Sequence, residues 1–300
     1  MARDPITAPP AAQPRYSLLV AANANGTTTG ERWENGVVWT PEACAAGDLA
    51  PAWCGVNPER QPPAQPGRAI ADPFYVWSAD QCSAQGFAAR DWEGRARRAL
   101  EATQSYQIAH ELWTGEHTLN ELAENRTDQA SPFLADTSMV VDSNLPAARA
   151  IAVLEQLAMA CSQGRRLMIH VPIVVLAEAQ EDGYVLRDTG GVLTTAMGSI
   201  VVADAGYPGT GPTGPEGDRT PDNSTMWIYA TSIVQVRLGE VEPLPKTLAD
   251  AYGASQALNR PTNHIVVWAQ RLALYQLDPC CRIALSTDLP ALPPITTVQS

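Results

Sequence analysis

Ser83–Gly115, SAQGFAARDWEGRARRALEATQSYQIAHELWTG, carries the longest sustained helical periodicity in the chain. Trp92, Ala96, Ala99, Thr103, Tyr106, His110 and Trp113 recur at steps of four and three, which puts them on one face of one helix. Such a face is a packing seam. Ser83 can cap the start, Arg and Glu fill the outer side, and Gly115 stands where a helix stops. About thirty helical residues span roughly 45 Å, so the spacing predicts a spine across the whole domain.

Before the spine, residues 1–14 are rich in Pro and Ala and read as an extended arm. From Arg15, β-branched and aromatic runs are split by Asn25-Gly26 and Asn35-Gly36, both favourable to hairpin turns, and a Pro-rich loop follows from Ala50 to Ala69. Roughly sixty residues are thus expected to form an extended, hairpin-bearing region. Trp33, Trp39, Trp53, Phe74 and Trp77 lie in it with little core of their own, so these five are the expected contacts with another lobe or another subunit.

After Gly115, Leu145–Gly164 predicts a second helix with Pro146 near its first turn. Arg166–Gln180 reads as a buried strand running into a short helix, and Tyr184–Tyr207 as short strands with Gly-bearing turns. Pro208–Thr225 is expected to be a long loop without an apolar anchor. Met226–Val241 and Asn263–Leu289 read as strands, the latter broken at Asp278-Pro279. An extended arm, a long helix, a mixed middle and terminal strands make an α+β fold, with no internal repeat.

The 300 residues, 45% hydrophobic, suffice for a substantial core, while 25 prolines and 21 glycines predict long loops and arms. A net charge of −12, with Lys246 the single lysine, argues against extensive nucleic-acid contact. The one dense basic cluster, Arg90, Arg95, Arg97 and Arg98, is interleaved with Asp91, Glu93 and Glu101, which favours solvated ion pairs. No run of eighteen apolar residues occurs, and the first residues lack the apolar core of a signal peptide, so an intracellular protein is expected. Its cysteines, at 44, 54, 82, 161, 280 and 281, are accordingly expected as reduced thiols.

Catalytic patterns fail on spacing. HELWTGEH, His110–His117, lacks a second His at i+4, and His110 lies on the predicted seam, which favours a buried, hydrogen-bonded histidine over a metal ligand. Gly209-Thr-Gly-Pro-Thr-Gly214 matches a dinucleotide fingerprint, but Pro212, Pro215 and Pro221 forbid the helix that motif needs. No nucleophile elbow is present. The residues therefore point to a protein that is not an enzyme and holds no metal or cofactor.

The order of elements resembles the capsid fold of tailed bacteriophages, the Hong Kong 97 type, shared with encapsulin shells. The resemblance rests on the spine, on its ending Glu111-Leu-Trp-Thr-Gly115, on the helix of 145–163 leading into LMIHVPIVVLAEA, on LTTAMGSIVVADAGY, and on the closing HIVVWAQRLALYQLDPCCRIAL. It implies an N-terminal arm (1–14), an extended arm and E-loop (15–78), a P domain (79–165) holding the spine, an A domain (166–225), and strands returning through 226–300.

That fold implies self-assembly into hexamers and pentamers of an icosahedral phage head, with E-loop aromatics such as Trp33 and Trp39 laid over a neighbour's spine. Portal, scaffold or decoration proteins would be partners, packaged DNA would be touched only weakly, no membrane is involved, and the protein would reside in the virion after assembly in the bacterial host cytoplasm. Some members crosslink through an E-loop lysine; with no lysine before Lys246, that chemistry is expected to be absent. An encapsulin shell, a tail or decoration protein, and a soluble α/β enzyme remain as alternative readings.

Overall fold

The computed structural model describes residues 14–24, 32–42, 67–83, 91–124, 131–137, 139–184, 186–213, 224–244, 258–259 and 264–291. In chain order these hold α1 (Leu18–Ala24), β1 (Val37–Trp39), β2 (Ala69–Ala71), β3 (Phe74–Ser83), α2 (Trp92–Thr114), α3 (Glu116–Ala123) and β4 (Met139–Leu145). Next come α4 (Ala147–Cys161), β5 (Met168–Val171), α5 (Ile173–Glu181), β6 (Arg187–Thr189), β7 (Val192–Thr194) and β8 (Ile200–Ala203). The chain continues through β9 (Thr225–Thr231), β10 (Gln235–Leu238), β11 (Glu242–Leu244), β12 (Leu258–Asn259), β13 (His264–Gln276) and β14 (Ile283–Pro290). The fold is α+β.

The spine is α2. It starts at Trp92 rather than at Ser83, because Ser83 ends β3 and the Asp91 carboxylate accepts from the Gly94 N–H at 3.0 Å. Its 23 residues span about 35 Å. It stops at Gly115, whose φ of 62° is left-handed and whose Cβ, if present, would lie 2.3 Å from the Phe133 ring. The seam also differs from expectation. Ala96, Leu100, Gln104, Ser105, Ile108, Ala109, Leu112 and Trp113 are buried, whereas Thr103 and Tyr106 face out and His110 is half-buried. A spacing of three and four fits several lines along a helix, and the true one is decided by the sheets beneath.

A seven-stranded sheet runs β4-β14-β9-β5-β8-β7-β6 and is mixed in direction. Side chains alternate across it. Ile169, Val171, Val201, Ala203, Ile228, Ala230, Ile283 and Leu285 pack with Ala150, Ile151, Leu154 and Ala158 of α4 and with Val175 and Leu176 of α5. Met168, Ile200, Val202, Trp227, Tyr229 and Ala284 face the other way, into the core that holds Ile108, Leu112 and Trp113 of the spine. This layer takes β4 and α4 from before residue 166, and β9 and β14 from after 225.

The second sheet is built on β13, thirteen residues long. It pairs with β3 from His264↔Ser83 to Ala273↔Phe74, and with β10, β11 and β12 along its other side. Its inner face meets the spine: Arg95 forks onto Asp80 at 2.6 and 3.0 Å, and Arg271 donates to Gln104 at 3.0 Å.

Two sequence expectations are corrected. Leu18–Ala24 is helix, not strand: Leu18, Leu19, Ala21 and Ala22 bury one side of it, and Asp204 accepts from the otherwise orphaned Leu18 N–H at 3.0 Å. Cys161 and Cys281, 120 residues apart in sequence, form a disulfide with Cα atoms 5.6 Å apart, and Cys280 is disulfide-bonded as well. Closing a loop of that size is worth about 4–5 kcal/mol in the chain-entropy account. The start of the segment after Pro208 is tied down by a polar bond, the buried Trp113 indole donating to the Thr210 carbonyl at 3.1 Å. Asn35-Gly36 forms a turn as expected, the Gly36 N–H reaching the Trp33 carbonyl at 3.0 Å, while Asn25-Gly26 lies outside the described residues.

Candidate assembly surfaces

The joint between the two sheets is polar and buried. Asp204, at the end of β8, accepts from Leu18 N–H, from the Ser105 hydroxyl at 2.9 Å and from Gly206 N–H at 3.0 Å, tying α1 and the spine to one carboxylate. Nearby, Thr231 gives its hydroxyl proton to the Ser232 carbonyl, so His170 Nε2 donates to Thr231 at 3.0 Å and His170 Nδ1 accepts from Tyr207 at 2.8 Å. Burial holds the His170 imidazole neutral, its pKa pushed down to about 3, and raises the Tyr207 phenol well above its ordinary value. These groups are enclosed and serve packing.

The surface presents a different chemistry. On the outer side of the second sheet, Tyr75 is directly opposite Leu272, Trp77 opposite Gln270, Ala79 opposite Trp268 and Gln81 opposite Val266. Tyr75 and Trp77 are 58% and 56% exposed, a large apolar area left to water. At the free edge of β3, Gln107 of the spine bonds both the N–H (3.1 Å) and the C=O (3.0 Å) of Trp77. A groove of about 330 Å³ follows this edge, lined by Tyr75, Tyr106, Gln107, His110, Glu116 and His117. His110 stacks on Tyr106 and lies 3.4 Å from Glu116. The floor is braced by Glu111, which accepts from the His117 and Thr118 N–H groups at 2.7 and 3.0 Å and so caps α3; burial nevertheless raises its pKa. A second apolar area is the outer edge of the seven-stranded sheet, where Met139 and Val140 of β4 are 43% and 46% exposed.

The five expected contact residues divide. Trp77 is exposed. Trp33 is half-buried in the turn before β1, and Trp39, also half-buried, lines a cavity of about 400 Å³ formed with Arg165, Gln235 and Cys281 of the same chain. Phe74 is corrected: it is 8% exposed, packed edge-on to Tyr275 at 6.0 Å, because the alternation of β3 turns it toward the core. Trp53 lies outside the described residues. Tyr75, Trp268 and Leu272 were missed; their signal was the two-residue period that aligns them with Trp77 once β3 and β13 are paired. His110 is half-buried beside Glu116, not enclosed. Residues 209–213 hold no helix for a phosphate, and Gly209, at φ 78°, has Met226 Sδ only 2.2 Å from where a Cβ would stand. Among the described residues no cluster of three metal-ligating side chains occurs, and no helix is long and apolar enough to cross a membrane.

No family model matches the chain, and no curated protein matches it either. Solved structures do. The capsid of a native GTA particle aligns with 96% of this chain and 96% of its own at a TM-score of 0.53 and 11% identity. The capsid of the empty GTA particle gives 0.51 with the same identity and coverage. A protein of Mycobacterium phage Ogopogo aligns over 96% of this chain and 97% of its own at 0.50 and 12% identity. The chain is therefore similar in fold, end to end, to capsid subunits.

Proposed function

We propose that the chain is the major capsid protein of a tailed bacteriophage, a structural subunit that self-assembles into an icosahedral head around the genome. The observation that carries this reading is the alignment of 96% of this chain with 96% of the GTA capsid chain. In this reading α2 with the β3/β13 sheet is the P domain, the seven-stranded layer is the A domain, and the chain before β3 supplies arm and E-loop. Hexamers and pentamers would meet through faces that a single subunit leaves open, and the aromatic outer side of β3 and β13 suits that role because Tyr75 and Trp77 stay exposed among the described residues. Portal and scaffold proteins would be partners in the host cell, and the acidic chain would hold DNA only weakly.

Negative-stain electron microscopy of the purified protein, beside its size-exclusion profile at several salt concentrations, tests this. Closed shells or capsomer-sized rings are expected. A stable monomer or dimer under every condition, including co-expression with the neighbouring head proteins, would sink it.

A further inference from the structure

We propose that the Cys161–Cys281 disulfide is a redox-operated clasp on the chain segment Val37–Glu42. Glu42 is gripped from both sides. Its N–H donates to Asp278 Oδ2 at 3.0 Å, three residues before Cys281, and its carbonyl accepts from the Arg165 guanidinium, four residues after Cys161. The disulfide joins the bases of these two posts, the end of α4 and the turn between β13 and β14, which no strand pairing connects directly. Trp39 and Thr40 lie against the same cavity, so the segment leaving β1 is seated there by packing as well. Beyond the clasp, the one strand among the described residues that pairs with β1 is β2, over three residues. Such a short ribbon is marginal by itself.

The bond borders a cavity. Cys281 lines the cavity of about 400 Å³, with Arg165 and Arg166 on its walls, and Cys281 itself stands at a φ of 57°, an uncommon conformation for a cysteine. One thiolate of a small dithiol attacks Cys281 Sγ, the S–S bond breaks, and Cys161 leaves as a thiolate that takes up a proton. The second thiol then closes a disulfide on the reductant and releases Cys281, so two electrons and two protons pass from the dithiol to the protein. With the bridge gone the posts keep only their packing through Ala158 and Ile283, and the two-sided hold on Glu42 slackens. The clasp acts within one subunit, so it stands or falls independently of shell formation.

Hydrogen exchange read by mass spectrometry tests it, on the full chain and on Cys161→Ser/Cys281→Ser. Exchange over Val37–Glu42 should accelerate at least tenfold in the double variant, while β5 and the spine keep their protection. Asp278→Asn, which leaves the disulfide intact, should speed the same segment to a smaller extent. Because Cys280 is also disulfide-bonded, the double variant rather than reductant identifies the bond. Should that variant fail to fold, a brief pulse of dithiothreitol on the native protein, with peptide mapping to locate the opened bond, replaces it. Unchanged exchange over Val37–Glu42 with the 161–281 bond open, or acceleration spread evenly over the chain, would overturn the proposal.

Discussion

The two sheets are made of similar residues, rich in Val, Ile and aromatics, yet they end in different conditions. The seven-stranded sheet is covered on one face by α4 and α5 and on the other by the spine, so nearly every side chain of β5, β8 and β9 is buried. The β3/β13 sheet has the spine on its inner face and nothing from the described residues over Tyr75 and Trp77. Apolar content alone does not separate a closed layer from an open one. What separates them is whether the same chain has a second element long enough to lay across, and the spine is spent on the inner side.

Acidification should break the closed layer hardest. His170 has an ordinary value near 6.5 and a folded value of about 3, so its contribution is fully present above pH 6.5 and is lost as pH falls toward 3. The loss is on the order of 5 kcal/mol at full protonation. Glu111 titrates in the opposite sense, its raised value favouring the fold at low pH. Urea unfolding of wild type against His170→Gln across that range isolates the histidine, and the variant should lack about one proton of slope.

Gly206→Ala should separate the spine from the closed layer, since the added Cβ would meet the Tyr106 carbonyl at 2.3 Å and the His110 nitrogen at 2.8 Å. Backbone cannot yield as a side chain can, so a loss of about 3 kcal/mol in urea unfolding is expected. Trp113→Phe keeps an aromatic ring tilted against Tyr207 and edge-on to Tyr229 but removes the donor to Thr210. It should cost about 1–2 kcal/mol, read as a lower urea midpoint with an unchanged slope.

The open sheet should respond in the reverse way. Tyr75→Ser with Trp77→Ser should change subunit stability by under about 0.5 kcal/mol per site, because neither side chain is enclosed. Assembly on size exclusion should fail. Comparable loss of folding and assembly would place these residues in an intramolecular core instead.

Much of the element order was legible. The strand into α5 was marked by a continuous apolar run ending at Pro172, and the end of the spine by Gly115. The start of the spine was not, because Ser83 and Asp91 are both good caps and only the pairing of β3 with β13 removes the first from use. Among the candidate contact residues, Phe74 and Trp77 lie in one continuous apolar run, Phe74-Tyr75-Val76-Trp77, in which no alternation shows; only the pairing with β13 turns Phe74 inward and leaves Trp77 exposed. The Cys161–Cys281 bond was hidden by a separation of 120 residues, across which spacing carries no information.

By itself the sequence determined which segments are helix and which are strand wherever periodicity and punctuation agree, because those preferences are local. Only the tertiary structure decided which line of the spine is buried, which cysteines meet, and which sheet face stays exposed among the described residues. Each of those depends on what the rest of the chain brings within a few ångströms, and burial is a property of neighbours rather than of a residue.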